Sequence, residues 1–317
     1  MQSNTPMLSI YVPTYNHEKY IGMALESILG QKTRYSYEVL IGDDASQDGT
    51  RAVIEQYEKR FPQIFTVFYR ETNMKTIGKS NIRDLKERCS GKYIIALEGD
   101  DYWTDDEKIE KQINFLENNP EYLAVAHNCV VVDENSNMTS EKYPECKDEE
   151  YSIEHFADNI LPGQTTTLMV RNYIKDSIFD TTLLNQGFVP GDRVLAFTLA
   201  VNGRVYCMQE CMSAYRHITH GGSSFSATYK YDFANAESVH LAMMRYAKKC
   251  NNQNAVRCAE LLYLRNLIKG IMNEQVEFFN SFKYLKAIKH KVGAFKMLIE
   301  QQIRQKSFRN DPNYRLK

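Results

Sequence analysis

Gly91-Lys92-Tyr93-Ile94-Ile95-Ala96-Leu97-Glu98-Gly99-Asp100-Asp101-Tyr102-Trp103 decides the fold. Tyr93–Leu97 is strongly apolar and gives way at once to three acids in four residues. A short apolar run bounded by Ser90-Gly91 and by a polar turn reads as a buried strand. On its N-terminal side, Ser80–Cys89 reads as a helix. On its C-terminal side, Thr104-x-x-Glu107 has the form of a capping box, and Ile109, Ile113 and Leu116 mark the helix behind it. Farther out, Leu8–Val12, Glu38–Gly42, Phe65–Tyr69 and Leu123–Val132 read as strands. Ile21, Leu25, Ile28 and Leu29 space one helix, and Ile54, Tyr57 and Phe61 another, closed by Pro62. Strands alternating with helices over short connections predict an α/β fold with a mainly parallel central sheet flanked by helices.

In such sheets ligands bind outside the carboxyl ends of the strands. Three polar clusters fall there: Pro13-Thr14-Tyr15-Asn16, Asp43-Asp44, and Glu98 with Asp100 and Asp101. Three crowded acids repel one another unless a cation neutralises them. Mg²⁺ or Mn²⁺ favours one or two carboxylates plus ligand phosphates, so the third cluster suggests a metal-bridged diphosphate. The plainer reading is a solvated acidic turn ahead of a helix N-terminus, where the dipole favours acids. Asp48-Gly49 is a turn signal by itself.

Together these stretches resemble the family 2 glycosyltransferases of the GT-A fold, of the bacterial envelope or capsule polysaccharide type. The resemblance rests on Val12-Pro13-Thr14-Tyr15-Asn16, on D-D-x-S-x-D-G-T from Asp43 to Thr50, and on Gly91-Lys92-Tyr93-Ile94 running into Glu98–Trp103. It implies an inverting transferase that moves a sugar from a nucleoside-diphosphate donor to a hydroxyl of a glycan or lipid-linked acceptor, in cell-envelope polysaccharide synthesis. It implies Mn²⁺ or Mg²⁺ as cofactor and, by family frequency, UDP as the nucleotide. It also assigns roles. Pro13, Thr14, Tyr15, Asn16, Asp43, Asp44 and Asp100 would hold the nucleotide, and Asp101 and Asp100 the metal, with Asp101 first. Glu98 stands where many members carry Asp. Asp192, in Phe188-Val189-Pro190-Gly191-Asp192, matches the stretch that carries the catalytic base; the alternative is a helix N-cap. Tyr215-Arg216-His217-Ile218-Thr219-His220-Gly221-Gly222 resembles a family loop, so Arg216, His217 and His220 are candidate diphosphate or acceptor contacts. Trp103 could stack on a sugar or anchor the helix beyond it.

Past Val132 the pattern loosens. Asp133–Tyr151 reads as a polar loop, and Thr165–Val170 as a short strand or extended wall. Asp192–Asn202 reads as a helix ended by Gly203, and Val205–Met208 and Met212–Tyr215 as two short strands. From Tyr231 onward the spacing is helical. This predicts a catalytic domain over 1–225, with a nucleotide-sugar half (1–132) and an acceptor half (133–225), and a helical C-terminal region over 226–317.

The 317 residues carry 39 Lys+Arg and 40 Asp+Glu, a net charge of −1, which excludes a uniformly basic nucleic-acid binder. That average hides two regions. Glu98–Glu150 holds sixteen acids against four Lys/Arg, and Ser281–Lys317 ten Lys/Arg against two acids. In the latter, Phe282, Leu285, Ile288, Val292, Phe295 and Ile299 recur at helical spacing, so a basic amphipathic helix is expected to touch a membrane surface or a second subunit. Seven cysteines without a C-x-x-C pair, and a polar Met1–Met7 unlike a secretory signal, suit a cytoplasmic protein, peripheral at the inner face of the membrane if the tail binds lipid. A dehydrogenase would need G-x-G-x-x-G after the first strand, and a nucleotidyltransferase a Gly-rich, Arg-containing loop; Pro13-Thr14-Tyr15-Asn16-His17 is neither. A catalytically inactive nucleotide-sugar-binding scaffold is the non-enzymatic alternative.

Overall fold

The computed structural model describes residues 5–218 and 230–309. Its first part is β1 (Leu8–Thr14), α1 (Ile21–Leu29), β2 (Tyr37–Asp43), α2 (Thr50–Arg60), β3 (Phe65–Tyr69), α3 (Asn81–Arg88) and β4 (Tyr93–Ala96). The four strands lie parallel in the order β3-β2-β1-β4. Strand periodicity sorts the side chains. Leu8, Ile10, Val12, Val39, Ile41 and Ile95 face Ile21, Leu25 and Ile28 of α1, while Tyr11, Leu40, Ile94 and Ala96 share the other face with Leu85 of α3. Both faces are covered, as a parallel sheet requires.

The sheet continues through β5 (Tyr102–Trp103), β6 (Tyr122–Val132), β7 (Glu150–Tyr151), β8 (Met169–Arg171) and β9 (Arg204–Arg216). Its order runs on as β4-β8-β6-β9-β5, with β7 also on β9. Here the pairing is mixed. β8 is antiparallel to β4 and β6, β9 is parallel to β6, and β5 and β7 are antiparallel to β9. α4 (Lys108–Asn118), α5 (Ile153–Ala157), α6 (Tyr173–Asp176) and α7 (Gly191–Asn202) complete this half. The whole is a GT-A-like mixed sheet flanked by helices, with a helical C-terminal region.

Two local expectations are corrected. The two short strands at Val205–Met208 and Met212–Tyr215 are one strand, β9, because the polar Gln209-Glu210-Cys211 interruption is absorbed by register shifts against His127–Cys129. The capping box at Thr104 does not form. The Thr104 N–H donates to the Met212 carbonyl at 3.0 Å, and α4 starts four residues later, after a turn in which Asp105 Oδ1 accepts the Glu107 N–H at 2.8 Å. All seven cysteines are free thiols, and no helix among the described residues is long and apolar enough to cross a membrane.

α8 (Phe233–Lys249) and α9 (Gln253–Met272) follow, then α10 (Ser281–Tyr284) and α11 (Lys291–Arg309). Asp232 and Asn252 cap α8 and α9 through their side-chain oxygens. Val239, Met243, Leu261 and Leu264 join Phe197 and Val205 in one core. The basic tail is not a single helix. It breaks around Ile288-Lys289-His290, where the buried Glu260 carboxylate accepts the Lys289 N–H at 2.9 Å and the His290 N–H at 3.3 Å, and meets His290 Nδ1 at 3.0 Å. A carboxylate on α9 thus satisfies orphan donors at the start of α11. Glu260→Ala leaves those donors unpaired and is expected to cost about 2–4 kcal/mol. Urea unfolding and hydrogen exchange across 285–300 measure it. A loss below about 0.5 kcal/mol, within the range of an ordinary surface change, would contradict the role.

Candidate active site

The carboxyl ends of β1, β2 and β4 meet at one edge. Thr14, the last residue of β1, pairs in register with Asp43 of β2, and its carbonyl accepts the Asp44 N–H at 3.0 Å. The following loop is tied down in several places. Asn16 takes a left-handed φ of 56°, donates its N–H to Ser46 Oγ, and accepts the Gln47 N–H on Oδ1. The His17 N–H donates to Thr50 Oγ1 at 2.8 Å, and its ring Nδ1 lies 3.1 Å from Thr14 Oγ1.

Asp43 is wholly buried. Its Oδ1 accepts the Ser46 N–H and its Oδ2 accepts two N–H bonds from the Arg51 guanidinium, so it organises the loop and holds a cation beneath it. Asp44 is less enclosed. Its Oδ1 accepts the Met74 N–H at 2.8 Å, and partial burial pushes its carboxyl above the usual carboxylate range.

After β4 the chain turns sharply. The Gly99 N–H donates to the Pro13 carbonyl and the Asp101 N–H to the Glu98 carbonyl. A Cβ on Gly99 would fall 2.7 Å from Thr14 Oγ1 and 2.8 Å from His17 Nδ1, so glycine lets the turn close onto β1. That turn gathers Glu98, Asp100 and Asp101 until one oxygen of each lies within 4.8 Å of the others. Asp100 Oδ2 also faces His17 Nε2 at 3.8 Å.

Asp101 is 1% exposed. Its Oδ1 accepts the Arg216 N–H at 2.7 Å and its Oδ2 accepts Gln164 Nε2–H at 3.0 Å. Burial, with Asp100 and Glu98 adding to it, pushes its carboxyl well above the usual range. The cluster fits a hard divalent cation: three carboxylates converge, and their repulsion is what such an ion relieves. Asp100 is the more open of the aspartates, with 18% of its side chain exposed.

Asp192 does not cap its helix. α7 starts at Gly191 behind Pro190, and Asp192 lies in the first turn with Oδ1 accepting the Arg193 N–H at 2.8 Å. Burial drives the Tyr143 phenol well above its ordinary range, and the charges of Asp192 and Glu98 act on it in the same direction. The Tyr143 ring packs edge-on against Tyr215, centroids 5.6 Å apart.

Two further candidates lie inside the fold. Trp103 is buried at 4% exposure, donates Nε1–H to the Thr166 carbonyl, and carries Lys108 Nζ 4.1 Å over its ring. It anchors α4 to the sheet. Arg216 is also buried. Its Nε donates to the Asp100 carbonyl, and its terminal nitrogens to the Asp133 carbonyl and Ser136 Oγ, so it braces the acid turn from behind. His217 faces Glu141 at 3.1 Å. His220 and the glycines after it lie outside the described residues.

Pattern alone does not single out His17, Gln164 or Tyr143. His17 carries a signal, since it extends the polar loop after β1. Gln164 and Tyr143 lie in segments without periodicity and are found only by their contacts.

Residues 9–177 match the family model described as Glycosyl transferase family 2. The chain belongs to glycosyl transferase family 2. The matched span contains Thr14, Asp43, Asp44, the acid turn and Gln164, and ends before Asp192. Among relatives, an uncharacterized protein of Mycobacterium tuberculosis is 34% identical over 215 residues, 68% of this chain and 60% of the relative. The putative teichuronic acid biosynthesis glycosyltransferase TuaG of Bacillus subtilis is 36% identical over 111 residues, 35% of this chain and 42% of that protein. The match therefore spans less than two thirds of these relatives' length. The crystal structure of S. aureus TarS 1–349 in complex with UDP-GlcNAc superposes with a TM-score of 0.64 at 17% identity, covering 93% of this chain and 88% of that one. At that identity the likeness is one of fold.

Proposed function

We propose that this family member transfers a sugar, with inversion, from a UDP-sugar to a hydroxyl of a glycan or lipid-linked acceptor in cell-envelope polysaccharide synthesis. The observation that carries the reading is the convergence of Glu98, Asp100 and Asp101 at the end of β4, beside Thr14 and His17 and adjacent to the Asp43-Asp44 corner. TuaG is named for teichuronic acid synthesis, and TarS is described with UDP-GlcNAc, which supports an envelope polymer and a uridine nucleotide.

Asp100 and Asp101, with Glu98 beside them, would hold Mn²⁺ or Mg²⁺. When bound, that ion supplies positive charge against the diphosphate leaving group. The remaining work falls to the chain's own residues. The Asp44 corner and the loop Pro13–Asn16 receive the nucleoside, and Asp43, pinned by Arg51, fixes the loop's shape. Arg216 and Gln164 keep Asp101 oriented. Asp192, in the first turn of α7, takes the proton from the acceptor hydroxyl as it attacks the anomeric carbon from the face opposite the nucleotide.

A panel of nucleotide sugars, each incubated with the protein with and without Mn²⁺, tests the reading by thermal shift. A uridine donor is expected to raise Tm by several degrees only with metal, since binding at about 100 times Kd is worth about 2.7 kcal/mol. No metal-dependent stabilisation by any donor would overturn it.

A further inference from the structure

The C-terminal region exposes apolar side chains in two places. Phe278, Phe279 and Phe282 pack only loosely on one another, with centroids 5.7 and 6.1 Å apart, and remain 60%, 85% and 60% exposed. On α11, Val292, Phe295 and Ile299 recur at helical spacing and are 84%, 44% and 61% exposed. The opposite side of the same helix, Ala294, Met297 and Leu298, packs on the core. The helix therefore has an inner apolar face that docks it and an outer one that the fold leaves open. Ile288 and Leu285, expected in the same stripe, are instead turned inward.

The surroundings are basic. Lys283, Lys286, Lys289, Lys291 and Lys296 are exposed, and Glu300 is the only acid from Phe278 to Glu300. Lys291 and Lys296 flank the Val292–Phe295–Ile299 patch. Exposed apolar side chains beside Lys291 and Lys296, with Lys286 and Lys289 just before them in the chain and Glu300 as the one acid at the patch, complement an anionic bilayer: the apolar groups enter the acyl boundary while the ammonium groups meet phosphates. A second copy is a poorer partner, because a two-fold contact would bring lysines against lysines. The acidic stretch Glu98–Glu150 of another copy is also poorly suited. Asp105 is engaged by Lys111, Glu117 by Lys92 and Glu150 by Arg204 within the chain.

We propose that the outer face of α11, carrying Val292, Phe295 and Ile299 with Lys291 and Lys296 beside them, is a docking surface for an anionic phospholipid bilayer. It would hold the transferase at a membrane without a spanning helix, and it does not depend on the identity of the donor.

Vesicle flotation of the full chain tests it, with phosphatidylcholine vesicles and with vesicles containing phosphatidylglycerol. The parent chain is expected to float with the anionic vesicles and not with the neutral ones, and to be released by salt. Lys289→Gln/Lys291→Gln/Lys296→Gln is expected to weaken binding roughly a hundredfold, and Val292→Ser/Ile299→Ser about tenfold. All five side chains are exposed, so circular dichroism and Tm should match the parent. Absence of binding to anionic vesicles, equal binding to neutral ones, or variants that bind like the parent would overturn the proposal. So would a concentration-dependent dimer that the same substitutions dissolve.

Discussion

Asp192→Asn is expected to lower kcat by about 10²–10⁴-fold, the usual contribution of a positioned general base, while leaving metal-dependent nucleotide binding within about twofold of the parent. The two side chains have the same shape. The Asn carbonyl oxygen can still accept the Arg193 N–H that Asp192 Oδ1 accepts now. What is lost is proton affinity at the acceptor side and a negative charge in the first turn of α7, the latter worth about 0.3–1 kcal/mol at a helix N-terminus. Nucleotide release in the presence of acceptor, together with calorimetric titration of UDP, separates the two effects. Full turnover in Asp192→Asn would remove the base assignment and leave the nucleotide site untouched. Equal loss of turnover and UDP affinity would place Asp192 on the donor side.

Asp100→Asn is expected to abolish metal-dependent nucleotide binding, and transfer with it, without weakening the fold. Asp100 is partly open, and its neighbours at the turn are the carboxylates of Glu98 and Asp101. Removing one of three crowded negative charges relieves repulsion, so Tm should hold or rise while Mn²⁺ loses its effect on UDP affinity. Asp101→Ala is expected to differ. It deletes the acceptor for both the Arg216 N–H and Gln164 Nε2–H, leaving buried donors unpaired at about 1–3 kcal/mol each. The pair therefore distinguishes an open ligand from a buried one: loss of metal response with Tm held in Asp100→Asn, loss of both in Asp101→Ala. A fall in Tm for Asp100→Asn, with Mn²⁺ response retained, would mean that Asp100 is a structural acid.

Much of the nucleotide half is legible in the sequence because its physics is local. Short apolar runs at Leu8–Val12 and Val39–Ile41, helical spacing at Ile21–Leu29, and turn residues between them all point the same way. The carboxyl-end rule then puts Thr14, Asp43 and the acid turn on one edge before any contact is known. The second half is less legible because its structure depends on distant partners. β9 looks interrupted at Gln209-Glu210-Cys211, and only its pairing with β6 carries it through as a bulged strand. The tail looks like one amphipathic helix, but a carboxylate about thirty residues earlier, Glu260, captures its backbone and breaks it. Arg216 and Trp103 show the same limit at the site. Residue type leaves ligand contact and structural bracing open for both, and only the contacts show Arg216 bonded to the acid turn and Trp103 packed under α4. Type and order identify an aspartate at a strand end. They do not say which side of the turn an arginine lies on.

The carboxylates after β4 are proposed to bind the donor diphosphate through a divalent cation. Calorimetric titration of UDP into the parent chain, first in Mn²⁺ and then in chelator, tests it most directly when repeated on Asp100→Asn. UDP is expected to bind tightly in Mn²⁺ and to lose at least about tenfold in chelator, that is 1.4 kcal/mol or more, with Asp100→Asn showing the weak value in both. UDP affinity that is equal with and without metal in the parent chain would contradict it.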